Sequence, residues 1–249
     1  AFHAAGSKRL EVFDTASDVY IADLDQRKII RSPLLADSLW LETFPTFSPD
    51  GKYIYYCTAR NSLLRRDSAD LGTAVRGLQY VLCRIPFDAT NETIGTKADT
   101  LTEASTSVCH PRVSPNGKLL LYTQQAYGTF PIWHRETDLR MINLETRKVD
   151  SLSVVNSNMS DTYHSWSSNS RWFVFASKRD DGLYGKPYFC YVDRQGKAHK
   201  PFVMPQKYPS FYDNFLKSYN APELGRGPLP FKAEDVGRLF RSKPLPFTF

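Results

Sequence analysis

Cysteine is sparse in this chain, with 4 residues in 249, and Cys57, Cys83, Cys109 and Cys190 form no Cys-x-x-Cys or Cys-x-x-Cys-His arrangement. A zinc ribbon and covalent haem attachment are therefore excluded. Cys57 and Cys83 fall in two apolar segments expected to be neighbouring strands. A disulfide between them in an oxidising compartment is one reading, and a pair of buried free thiols is the other. No run approaches the roughly 18 apolar residues that a membrane-spanning helix needs. The start, Ala1-Phe2-His3-Ala4-Ala5-Gly6, has neither an initiator Met nor a charged-then-apolar leader, which reads as a processed or excised chain.

Local catalytic signatures are missing as well. There is no Gly-x-Ser-x-Gly elbow, no His-Glu-x-x-His, no Ser-x-x-Lys and no Gly-rich phosphate loop. His3, His134 and His199 have no partnered nucleophile near them in sequence, and Asp180-Asp181 and Glu234-Asp235 read as turns or helix starts. The expectation is a chain without catalytic residues, cofactor or metal ligands: not an enzyme. A net charge of +6 and a pI near 9.1 permit an anionic partner. Lys and Arg are nevertheless scattered among 26 acidic residues, and Arg65-Arg66 and Lys178-Arg179 run directly into Asp67 and Asp180-Asp181. Nucleic-acid binding is not expected from such a pattern.

What the chain does have is a repeated frame. Pro45-Thr46-Phe47-Ser48-Pro49-Asp50-Gly51-Lys52 returns as Pro111-Arg112-Val113-Ser114-Pro115-Asn116-Gly117-Lys118, and in degenerate form as His164-Ser165-Trp166-Ser167-Ser168-Asn169-Ser170-Arg171. Each copy is a turn that opens into an apolar run: Tyr53-Ile54-Tyr55-Tyr56, Leu119-Leu120-Leu121-Tyr122 or Trp172-Phe173-Val174-Phe175. Ser48, Ser114 and Ser167 therefore read as turn-capping residues. The frames begin at positions 45, 111 and 164, a spacing longer than the roughly 40 to 50 residues of common propeller repeats. The excess is assigned to loops, at 61–77 in the first unit and 126–138 in the second.

Around each frame the order is constant. A short strand leads into the turn, the apolar run follows, and a variable loop then gives way to a third strand and a short fourth. Aromatics at 14% suit such pleated surfaces. Four antiparallel strands per repeat make the blade of a β-propeller, so the fold class expected is all-β. Blades are placed at 43–103, 104–155 and 156–203, with the back half of an earlier blade at 18–42 and a lead-in at 1–17. Residues 204–249, rich in Pro and aromatics, are expected as a tail packed on the propeller, with helix-compatible stretches at 209–219 and 232–240. A closed ring needs at least four blades, so further N-terminal blades or a partner chain are expected to complete it.

The frame, followed by an aromatic-aliphatic strand, resembles the TolB-like propeller repeats, periplasmic relatives of WD40 repeats, over roughly residues 18–203. The third copy departs from it, with His164 for Pro and Ser170 for Gly. The stretch 164–182 together with 205–224 also resembles secreted Bacteroidetes-type propeller proteins of unassigned role. The resemblance implies a periplasmic or otherwise extracytoplasmic location, with membrane anchoring through a preceding segment as one variant, and a protein or cell-envelope partner.

In propeller geometry the residues that lead into each first strand sit at the rim of the central channel. Here these are Phe44, Cys109-His110 and Tyr163-His164. The loops from second to third strand open on the same side and bring Arg60, Gln125, Tyr127, Lys178 and Arg179. A basic, aromatic mouth with His110, His164 and Tyr163 at its centre is the expected binding site, set against a purely structural role for both histidines. The function expected is a non-enzymatic extracytoplasmic binding platform that forms part of a larger propeller. The alternative is the non-catalytic propeller of a peptidase or sugar-active enzyme whose catalytic residues lie elsewhere.

Overall fold

The computed structural model describes residues 2–4, 10–12, 15–62 and 68–248. A lead hairpin, β1 (Phe2–Ala4) and β2 (Leu10–Val12), precedes a two-stranded half-blade, β3 (Ile21–Asp23) and β4 (Lys28–Ile30). The first full blade contains β5 (Trp40–Phe47), β6 (Tyr53–Arg60) and β7 (Val81–Asp88); its fourth position is shared by β8 (Thr93–Ile94) and β9 (Asp99–Thr100), which both pair with β7. The second blade is β10 (Ser107–Val113), β11 (Leu119–Gln125), β12 (Asp138–Asn143) and β13 (Val149–Asp150). The third is β14 (Asp161–Trp166), β15 (Trp172–Ser177), β16 (Lys186–Tyr191) and β17 (Phe202–Val203). Every neighbouring pair in these sheets is antiparallel. The chain is a β-propeller segment, three full blades following half of another.

The repeated frame builds one turn three times. In the first, Ser48 Oγ donates to Asp50 Oδ1 at 2.6 Å and accepts from Tyr53 N at 3.0 Å, while Gly51 N donates to Ser48 O. Ser114, Asn116 and Leu119 repeat that pattern, and so do Ser167, Asn169 and Trp172. The seventh position is left-handed in each, at φ 70° for Gly51, 74° for Gly117 and 59° for Ser170. Glycine takes that conformation without steric cost. Ser170 takes it where its Oγ can accept from Asn116 N at 3.0 Å, tying the third turn to the second.

The strands after these turns are apolar without alternation because both of their faces are covered. Tyr55, Cys57 and Ala59 of β6 pack with Val108, Leu120 and Tyr122 between the first and second blades. Ile54 and Tyr56 pack the other way, with Val19, Leu35 and Ile85, against the half-blade. Leu119 and Leu121 meet Trp166, Phe173 and Phe175 between the second and third blades. The core is thus three slabs, one per blade interface.

Cys57 and Cys83 do not form a disulfide. β6 pairs Tyr56 with Cys83 and Cys57 with Leu82, so the two thiols lie on opposite faces of the sheet, and all four cysteines are free and buried. The 61–77 connection, read as loop, contains α1 (Ser68–Ala74) and a 3-10 turn, Val75–Gly77, with Leu71 and Val75 buried in the first slab. In the tail a 3-10 segment spans Pro209–Asn214, shorter than the helical stretch expected there, and α2 spans Ala233–Phe240. Tyr219 N donates to Gly185 O and Ser165 Oγ to Pro222 O, tying the tail to the third blade, while Thr248 pairs with the half-blade at Lys28. No helix among the described residues is long and apolar enough to cross a membrane.

Candidate binding site on the inner strands

The first strands of successive blades lie beside one another, β10 touching both β5 and β14. Each carries a bulge at the same place. Pairing shifts between Thr43 and Thr46, between Cys109 and Arg112, and between Thr162 and Ser165. A bulge sets two residues against one and re-aims the side chain it contains. In all three blades the first bulge residue is non-glycine and left-handed: Phe44 at φ 53°, His110 at 54° and Tyr163 at 50°. Such a backbone costs on the order of 1–3 kcal/mol each and persists only where the surroundings hold it.

The result is a band of rings across three blades. The centroids of Phe44 and His110 are 4.2 Å apart and those of His110 and Tyr163 are 5.1 Å apart. Register also separates the two histidines. His110 is the counterpart of Phe44 and Tyr163, whereas His164 is the counterpart of Pro45 and Pro111, one position further along the bulge. His164 is only 4% exposed, and its ring lies against the carbonyls of Leu121 and His110 without a well-formed hydrogen bond to either; His110 Nδ1 and Thr162 Oγ1 are buried and unpartnered. Burial, joined by the nearby Arg112 charge, pushes the His110 imidazole down to about 3. Burial does the same to His164, helped by His110 and Arg112 and opposed by the carbonyls of Leu121 and His110. Both imidazoles are neutral at physiological pH.

The other expected mouth residues are held in separate settings. Gln125 Nε2 donates to the carbonyls of Tyr127 and Gly128 at 3.1 and 2.9 Å, and its Oε1 accepts from Cys109 Sγ. Tyr127 stands edge-on to His134, with centroids 4.5 Å apart. Lys178 Nζ donates to Ile132 O at 3.0 Å and lies 5.2 Å from the Trp133 ring centroid, on the wall of a rim cleft of about 410 Å3. Arg179 is turned inward, donating to Asp161 Oδ1 at 2.9 Å and lying 4.4 Å over the Tyr188 ring. Arg60 ends β6, exposed, opposite Trp40.

Two contributors escaped the sequence reading. Trp133 sits on a 3-10 turn inside the long second-blade loop, where no periodicity marks it. Arg112 did leave a signal: it fills the variable second position of the frame, where the other copies have Thr46 and Ser165. Among the described residues no group of three or more His, Cys, Asp or Glu is arranged to hold a metal ion.

No family model matches the chain, and no curated protein does. Solved structures similar to it include a putative TolB from Agrobacterium tumefaciens, at 17% identity and a TM-score of 0.42, covering 65% of this chain and 48% of that one. A puromycin-hydrolyzing peptidase from Mycobacterium tuberculosis shows 15% identity and a TM-score of 0.49 over 75% of this chain and 28% of that one. The β-propeller domain of the Trilobed protease from Pyrococcus furiosus shows 15% identity and a TM-score of 0.38, covering 68% and 44%. The chain thus spans about half or less of the length of these structures.

Proposed function

We propose that this chain is a non-enzymatic binding platform, an extracytoplasmic propeller segment that holds a protein or cell-envelope ligand against the inner strands of its blades. The observation that carries this reading is the strained band Phe44–His110–Tyr163. A structural bulge needs no aromatic ring, yet three consecutive blades hold one in an unfavourable backbone conformation at the same register. Outliers of this kind cluster at ligand sites, and flat amphipathic rings suit a recognition surface because they order few torsions on binding. Tyr163 and His110 are only partly buried and so remain available to a ligand.

The test is capture from an envelope extract at physiological salt, with wild-type chain and a His110→Ala/Tyr163→Ala double variant on parallel supports. A specific partner retained by the wild type and lost by the variant, at matched thermal stability, is the expected result. Recovery of no specific partner, or equal recovery on both supports, overturns the platform reading.

A further inference from the structure

The rim cleft between the second and third blades lies apart from the ring band and is built from loops of both blades. Its volume of about 410 Å3 falls within the roughly 300–1,000 Å3 of ordinary ligand sites. Trp133 lines it and stays 39% exposed, although the turn that carries it is tied down. Pro131 O accepts from Thr137 Oγ1 at 2.7 Å and from Ser160 Oγ at 3.1 Å, and Ile132 O accepts from Lys178 Nζ. Ser160 and Lys178 belong to the third blade, so both blades hold the turn that displays the indole. Leu183, 69% exposed, lines the same cleft just after the left-handed Gly182, and the Met159 thioether lies against that glycine. Single exposed apolar residues are ordinary. Three of them lining one cleft with a fixed turn make a prepared surface, and Trp and Met are both favoured where proteins recognise one another.

Charge then narrows the chemistry. The charged residues that line the cleft are both cations, Arg135 and Lys178. Arg135 Nε donates to Asn158 O at 3.1 Å, and its guanidinium makes no ion pair among the described residues. Acids of the neighbouring loops are engaged elsewhere: Asp161 with Arg179, Asp180 and Asp181 with Lys186, and Glu136 with His134. A cationic ligand would meet two like charges. A bare inorganic anion would leave Trp133, Leu183 and Met159 unused. A neutral sugar needs hydroxyl partners, yet Ser160, the one hydroxyl in the lining, already donates to Pro131 O. What answers the whole lining is an apolar side chain with a carboxylate beside it: the first covers indole and leucine, and the second accepts from the planar Arg135 fork.

We propose that the rim cleft binds a segment of a partner protein in which an aromatic or aliphatic side chain is flanked by acidic residues, with Trp133 and Leu183 seating the apolar group and Arg135 and Lys178 meeting the carboxylates. This rests on the platform reading and names the partner segment that the platform takes at its rim.

The experiment titrates the full chain into acetyl-Gly-Glu-Phe-Glu-Gly-amide carrying a fluorinated phenyl ring, followed by 19F resonance. Saturable binding is expected. It should weaken about tenfold when Gln replaces both Glu of the peptide, and by a similar factor in Arg135→Gln, which loses a charge-assisted pair on an exposed side chain. Trp133→Ala, at matched thermal stability, should abolish it. Equal binding of the Glu and Gln peptides, unchanged binding in Arg135→Gln and Trp133→Ala, or no saturation with wild type overturns the assignment. Fluorophenylacetate, which has the ring and one carboxylate but no peptide, should bind more weakly than the peptide; equal affinity would give the cleft to a small organic acid and remove the protein segment. The two readings fail differently. Peptide binding by a chain that captures no envelope partner leaves the cleft standing and removes the platform. Equal capture by wild type and Trp133→Ala/Arg135→Gln, with no peptide bound by either, does the reverse.

Discussion

The first and third blades carry the same pair of charges at the same register, and only one of them closes it. In β5, Glu42 lies opposite Thr58; in β14, Asp161 lies opposite Ser177. Two residues beyond these partners come Arg60 and Arg179. The second blade has Val108 opposite Gln124, with Ala126 two residues on, and so carries no charge at either place. In the third blade β15 ends at Ser177 and the chain turns, Gly182 N donating to Lys178 O, so Arg179 folds back over Tyr188 onto the fully buried Asp161. Asp161 also accepts from Ser157 N and Oγ at 2.6 and 2.8 Å. In the first blade β6 runs on to Arg60, still paired with Trp40, and the guanidinium is carried outward. Glu42 is left 2% exposed with Oε2 unpartnered, and burial, reinforced by Asp18 and Asp37, pushes its carboxyl up to about 7. One residue pair gives a latch or an orphan depending on where the strand stops.

The largest test of this contrast is Arg179→Ala. Removing one partner of a buried pair strands the other, and the expected loss is about 3–5 kcal/mol in urea unfolding. A cost below about 1 kcal/mol would show that Asp161 is not held by Arg179 in the way the geometry describes.

Glu42→Gln should act in the opposite direction. The folded state holds the Glu42 proton more tightly than the unfolded state does, since its carboxyl moves from 4.5 to about 7. Native stability therefore falls as pH rises from about 4.5 through 7, and above that the whole penalty is present. Gln has no proton to lose, so the variant should be more stable than wild type by about 2–3 kcal/mol at pH 8 and nearly equal to it at pH 4.5. Equal stability at pH 8 would mean that Glu42 finds a partner in solution.

The histidines supply a countercurrent. His110 and His164 are held neutral, moved from 6.5 to about 3, so the unfolded chain takes up their protons first and stability is lost as pH falls from about 6.5 towards 3. His164→Asn should flatten that acid limb by about 1–2 kcal/mol between pH 6 and 4. Glu42→Gln should leave the acid limb below pH 4.5 in place. The two ends of the segment would then be separately addressable by pH, which coincident profiles for the two variants would disprove.

The blades were legible because a turn with Ser at its cap and a left-handed seventh position is local chemistry, repeated with little drift in two copies. Ser170 broke the glycine rule and the fold kept the turn anyway, by way of the Asn116 contact. The site was less legible. Aligning the frames made His110 and His164 look nearly equivalent, but a bulge residue occupies one position in the frame and aims its side chain according to backbone φ, which no residue type announced. Asp161 and Arg179 are 18 residues apart and meet only because β15 stops early. Leu71 and Val75 were hidden by the polar residues around them, although they complete the first slab.

The smallest expected effect is the sharpest on the geometry. Arg60→Ala removes the same side chain as Arg179→Ala, from the equivalent strand end, yet an exposed arginine with no ion pair to Glu42 should cost no more than about 0.5 kcal/mol at pH 7. Because no pair exists to be lost, the double variant Arg60→Ala/Glu42→Gln should equal the sum of the singles within about 0.5 kcal/mol. A coupling of 1 kcal/mol or more at pH 8, absent at pH 5, would mean that Arg60 swings in as Glu42 ionises. The first blade would then own the same latch as the third, closed by pH instead of by the path of the chain.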